Sequence, residues 1–166
     1  MSAPMVMVLL GTALLLCALT AGFLLAFALV VMPGLKVLED AAYLRAFQVI
    51  DGVIQDGQPW FLLMWVGSVV AVVLAVALGL GSLEGVDRML LLGAGALYLG
   101  GVQVPTAVVH LPLNNRVQNL EIGELDSEGL GEARMAFEVR WNRWNTLRTG
   151  LATGSVGLML VLLARL

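Results

Sequence analysis

Charge is scarce in this chain. Of its 166 residues 13% are charged, where soluble domains carry about 25%, and 60% are apolar. That balance excludes an ordinary water-soluble domain and points to a membrane protein. The net charge of −3 and the lack of any dense basic cluster exclude nucleic-acid binding. There is one cysteine, Cys17, in the middle of an apolar run. A lone cysteine allows no disulfide within the chain and no cysteine-based metal site, and Cys17 reads as a small apolar filler. There is also only one histidine, His110. No nucleotide-binding motif, internal repeat or mid-span ion-pair relay is visible, which speaks against a pump.

What the chain does have is four apolar stretches. Met5–Val31, Trp60–Leu80, Met89–Val109 and Thr149–Leu163 each approach the length of a membrane span. The expected fold is all-α, a single-domain integral membrane four-helix bundle over residues 1–166. Polar site-bearing segments are expected at 32–59 and 110–148. The first stretch lacks Lys and Arg in Met1–Leu16 and is longer than the roughly 7–15 residues of a signal-peptide core, so it reads as a retained anchor.

The first span is expected to stop at Met32-Pro33-Gly34. In Lys36–Gly57, Tyr43, Phe47, Ile50 and Ile54 recur at helical spacing, which predicts an amphipathic helix at the bundle mouth. The link from Gly81 to Arg88 reads as a plain helical hairpin. Glu121–Glu132 is acidic and glycine-containing, so part of it is expected to be an exposed loop. From about Ser127 a helix is predicted, running into the fourth span, with Leu130, Ala133, Phe137, Trp141 and Trp144 on one face. Glycines in spans three and four permit close helix approach, and a homodimer through those faces is compatible with the pattern.

Four spans force an alternating topology. The end of span one, the start of span two, the end of span three and the start of span four therefore share one membrane face. The unusual polar residues gather there, which makes that end the candidate site. Gln103, Thr106, His110 and Asn114 form a polar stripe along the third span, expected to face the bundle interior. His110 could be a general base, a lone haem or metal ligand, or a histidine bonded to backbone freed by Pro105 and Pro112. A single histidine without cysteines makes a poor metal site, so no cofactor is expected unless His110 holds a haem or metal. Trp141, Trp144, Asn145 and Arg148 share a helix face. They read either as aromatic walls with an oxyanion-stabilising amide and guanidinium, or as an interfacial belt with a snorkelling arginine. Gln48 and Asp51 lie three apart on the first loop helix. Asp51 is either a base at the mouth or a solvated acid on the outer face.

The order Pro33-Gly34-Leu35, Phe47-Gln48-Val49-Ile50-Asp51, Leu111-Pro112-Leu113-Asn114-Asn115 and Trp141-Asn142-Arg143-Trp144-Asn145-Thr146-Leu147-Arg148-Thr149 resembles the anthrone oxygenase-like family. Those are small four-span membrane proteins, and the resemblance covers nearly the whole chain. The chain departs from the family pattern at Asp51, where an asparagine is usual, and near His110, where an asparagine is common. The resemblance implies oxidation of an anthrone-type ring by O2 without an established cofactor. His110 or Asp51 would remove a proton, and Arg148, Asn145 and Asn114 would stabilise the enolate. Gln48, Trp141 and Trp144 would help to hold the ring.

Three functions remain open on the residues. One is an oxygenase or oxidoreductase acting in the lipid bilayer on a hydrophobic aromatic, anthrone- or quinol-like molecule. The second is a non-catalytic binder or carrier of such a molecule. The third is a structural membrane subunit. By the distribution of Lys and Arg, the site face is expected to be cytoplasmic, in a bacterial-type inner membrane.

Overall fold

The computed structural model describes residues 3–166. It is helical throughout, and among the described residues there is no strand. Helix α1 (Ala3–Ala26) continues through a π-helical turn (Phe27–Val31) into α2 (Met32–Lys36). Helix α3 (Asp40–Gln55) follows, then α4 (Pro59–Gly79) and α5 (Gly85–Gly95). Two π-helical segments (Ala96–Gln103 and Thr106–His110) carry the third span into α6 (Leu111–Gln118). A single 3-10 turn (Ile122–Glu124) leads to α7 (Ser127–Arg165).

Four of these helical stretches are long and apolar enough to cross a membrane: Met5–Lys36, Pro59–Gly79, Gly85–Gln118 and Ser127–Arg165. They form an up-and-down bundle in which α1 touches α4 and α7, and the third span touches α4 and α7. At about 1.5 Å per residue, α7 is roughly 58 Å long, twice the roughly 30 Å of bilayer hydrocarbon. Only α4 matches the bilayer closely. The other three project beyond it on the site face, where α3 packs among their ends.

Two apolar clusters result. The membrane-level cluster contains Leu10, Ala13, Cys17, Val72, Ala94, Tyr98 and Met159. The second, in the projecting cap, contains Leu35, Tyr43, Phe47, Leu113, Val117, Phe137 and Trp141. The Tyr43 and Phe47 rings meet Phe137 edge-on. Arg134 ties the cap together. It donates to the carbonyls of Lys36 and Leu38 at 2.9 and 2.8 Å, pairs with Asp40 and Glu138, and lies 4.4 Å above the Tyr43 ring.

Several boundaries differ from the sequence expectation. Pro33 and Gly34 do not stop the first helix, which runs on to Lys36. Pro33 lies inside this continuous helix, directly after a π-helical turn whose altered bonding accommodates the missing N–H, and Gly34 keeps a negative φ. Lys36 therefore ends the first helix, and α3 begins at Asp40. Pro105 and Pro112 likewise widen the third span into π-helical turns without breaking it. The expectation of one long helix from Ser127 into the fourth span is met, with Asp126 capping its start by accepting from the Gly129 N–H at 2.9 Å.

The span glycines are used mainly inside the bundle. A Cβ on Gly101 would lie 2.7 Å from Leu151, and one on Gly95 would lie 2.9 Å from Val76. Gly100, Gly150 and Gly157 are left uncovered.

Candidate functional site

At the junction of the two apolar clusters lies a cavity of about 310 Å³. That falls in the range of small-molecule sites, roughly 300–1,000 Å³. Phe23 and Phe27 of the first helix, Phe61 and Trp65 of α4, Phe47 of α3 and Trp141 of α7 supply aromatic walls. Phe61 and Trp65 stack with centroids 5.4 Å apart. Polar groups enter from three helices: Asp51 and Gln55, Thr106, His110 and Asn114, and Asn145 and Arg148.

His110 is 2% exposed, and neither ring nitrogen has a hydrogen-bond partner. Its ring meets Trp141 edge-on, with centroids 5.1 Å apart. Buried imidazole nitrogens are normally bonded, and His110, with both of its nitrogens buried and unpartnered, is among the residues that line the cavity. Among the described residues no group of three or more His, Cys, Asp or Glu side chains comes together around it.

Arg148 is 4% exposed. Its Nη1 donates to Thr106 Oγ1 at 2.7 Å and its Nη2 to Asn145 Oδ1 at 3.0 Å, while Nε has no partner. No carboxylate pairs with it among the described residues. Asn145 is held in turn by donating to the Leu24 carbonyl at 3.1 Å, just before the π-helical turn alters the backbone ladder. A buried cation with neutral partners only is costly, and an anionic oxygen in the cavity would offset that cost.

Asp51 lies on the inner face of α3, 4% exposed. It is not a solvated outer-face acid. Oδ1 accepts from Asn114 at 2.6 Å, and Oδ2 accepts from Gln55 at 2.6 Å and Gln118 at 3.0 Å. Asn114 accepts in turn from the Trp141 indole at 3.0 Å. The carboxylate thus anchors a chain that fixes Asn114 and Trp141.

Two of the sequence candidates stand apart from the cavity. Gln48 donates to the carbonyls of Val117 and Leu120 at 2.8 and 3.1 Å, fastening α3 to α6. Trp144 is half-buried against the cap cluster and does not line the cavity. Gln103, first in the polar stripe, lies a turn below it with a buried, unpartnered Nε2. Sequence reasoning had not singled out Phe23, Phe27, Phe61, Thr106 as the Arg148 partner, or Gln55. The first three lie in apolar runs where nothing marks one aromatic as inward.

The chain is thus built as a polytopic helical membrane protein, with an aromatic-walled cavity, an unpartnered imidazole and a guanidinium without a carboxylate toward one end. The chain matches the anthrone oxygenase family over residues 57–158 and belongs to that family. The match contains His110, Asn114, Trp141, Asn145 and Arg148, while Gln48 and Asp51 precede it. No curated protein matches, and no solved structure matches.

Proposed function

We propose that this protein oxidises a flat, hydrophobic aromatic of the anthrone type with O2, at the ring methylene that lies across the central ring from the carbonyl and is conjugated with it through the flanking aryl rings. The observation that carries this reading is His110, with both ring nitrogens unpartnered, in the same cavity as an Arg148 that lacks a carboxylate. His110 is the base. It takes a proton from the methylene and leaves an enolate whose oxygen is stabilised by Arg148. The aromatic walls hold the ring. The enolate passes one electron to O2, and the resulting radical and superoxide couple to form a carbon–oxygen bond. The imidazolium returns its proton to the peroxide. His110 then removes the remaining hydrogen at that carbon, the oxygen–oxygen bond breaks, and hydroxide leaves with that proton as water. One O2 is consumed, one oxygen atom enters the product and one water is released.

In this reading Asp51 is a positioning residue. Its three amide donors occupy both oxygens, and it acts through Asn114 on Trp141. The site face is cytoplasmic, in a bacterial-type inner membrane. Lys36, Arg45, Arg116, Arg140 and Arg143 lie toward that face, and only Arg88 and Arg165 lie toward the other.

Oxygen uptake by the protein in lipid vesicles supplied with anthrone tests the activity. Uptake of one O2 per anthrone, with quinone formed, is expected above the spontaneous rate. Bound anthrone with uptake at the spontaneous rate would make the protein a carrier.

A further inference from the structure

The cavity has one side on which no helix closes it. The α4 helix and the third span are in contact at the far end of the bundle. There Gly79 meets Leu91, Gly95 lies against Val76, and the Ser68 and Tyr98 hydroxyls bond at 2.6 Å. Toward the site the same two helices face each other across the cavity, with Phe61, Leu62 and Trp65 on one wall and Thr106, His110 and Leu111 on the other. Leu62 and Leu111 line the cavity and are also 44% and 51% exposed. The outer flanks beside them are apolar, since Leu63 and Val66 on α4, and Val104 and Val108 on the third span, are all exposed. Trp60, an interfacial residue type, lies two residues before Leu62 and is exposed as well. The remaining sides are closed by Phe27 of the first helix, Trp141 of α7 and Phe47 of α3.

We infer that the cavity is filled sideways from the bilayer, through the slit between α4 and the third span that Leu62 and Leu111 rim. The inference rests on the proposed ligand class and extends it: the ligand can carry an alkyl substituent that stays among the lipid tails while the ring sits inside. The exposed Gln55, held by Asp51 and Asn115, also lines the cavity and gives its mouth a polar edge. An apolar ligand is far more concentrated in lipid than in water, so the lipid-facing slit carries most of the traffic.

The test uses 2-methylanthraquinone and 2-pentylanthraquinone as unreactive probes, each pre-equilibrated at the same mole fraction in vesicles holding the full-length protein. Binding is read as quenching of tryptophan emission, since Trp65 and Trp141 line the cavity. Four added methylenes lower the aqueous concentration roughly 200-fold at equal membrane mole fraction. Lateral entry predicts association rates within about threefold of each other, and saturable quenching by the pentyl probe. It also predicts that Leu62→Trp slows association about tenfold, whereas Leu62→Ala does not. A roughly 200-fold slower rate for the pentyl probe, or no binding of it while the methyl probe binds, overturns lateral entry. Should Leu62→Trp fail to fold, the comparison of probes decides alone. Absence of quenching by either probe at saturation overturns the ligand reading of the cavity together with this inference.

Discussion

Asn114 donates to Asp51 across 2.6 Å, joining the third span to the short helix that roofs the cavity. The same amide accepts from Trp141 at 3.0 Å, so its orientation is fixed from both ends. One carboxylate on α3 thereby sets the position of an indole on α7.

Replacing that carboxylate separates anchoring from chemistry. Asp51→Ala leaves the Asn114, Gln55 and Gln118 amides without their acceptor and is expected to cost about 2–4 kcal/mol of stability. Asp51→Asn keeps one acceptor oxygen and is expected to cost less than half of that, with turnover within about tenfold. Thermal unfolding in detergent and a split of kcat from KM check both. A loss of turnover by Asp51→Asn as large as that caused by removing His110 would make Asp51 a base.

Arg148 should show opposite effects on folding and on binding. Arg148→Met removes a buried charge that has only neutral partners, and Thr106 still donates to the Val102 carbonyl at 2.7 Å. The variant is expected to gain about 1–3 kcal/mol of stability and to bind anthraquinone about 10–100-fold more weakly. Unfolding curves and tryptophan quenching measure the two. A destabilised variant with unchanged binding would mark Arg148 as structural.

The Tyr43 hydroxyl is buried without a partner, and burial pushes its pKa up. The neutral phenol is therefore favoured in the folded state, and the stability that depends on it is lost as the pH rises above the ordinary tyrosine range, near 10. Tyr43→Phe is expected to be neutral, or stabilising by up to about 1 kcal/mol, and to flatten the loss of stability above about pH 10. Unfolding measured from pH 8 to 11 checks the sign.

Among the described residues His110 belongs to no group of three or more His, Cys, Asp or Glu side chains. The purified protein is expected to show no Soret band and no stoichiometric metal. An optical spectrum with elemental analysis decides this, and a Soret band lost in His110→Ala would turn the imidazole into a haem ligand.

The fold was legible because lipid leaves so few choices. Four long apolar runs in one chain require four helices. The ends were less legible. Pro33 ordinarily stops a helix, yet a π-helical turn just before it absorbs the lost bond. The polar half of the site could be read because a stripe such as Thr106, His110 and Asn114 has no reason to face lipid. The apolar half could not. Phe23 and Phe61 sit in runs where every residue is apolar, so inward and outward positions look alike in sequence. Gln48 and Trp144 illustrate the opposite error. Their residue types suit a binding site, but Gln48 bonds the backbone of α6 and the turn after it, and Trp144 packs in the cap.

The central claim is that His110 acts on a ligand held by the rest of the cavity. The most direct measurement compares His110→Gln with the unaltered protein in vesicles, reading anthrone-dependent O2 uptake and anthraquinone quenching on the same samples. The account predicts that uptake above the spontaneous rate falls by about 10²–10⁴-fold, while the quenching midpoint moves less than about threefold. Uptake unchanged in His110→Gln would contradict it.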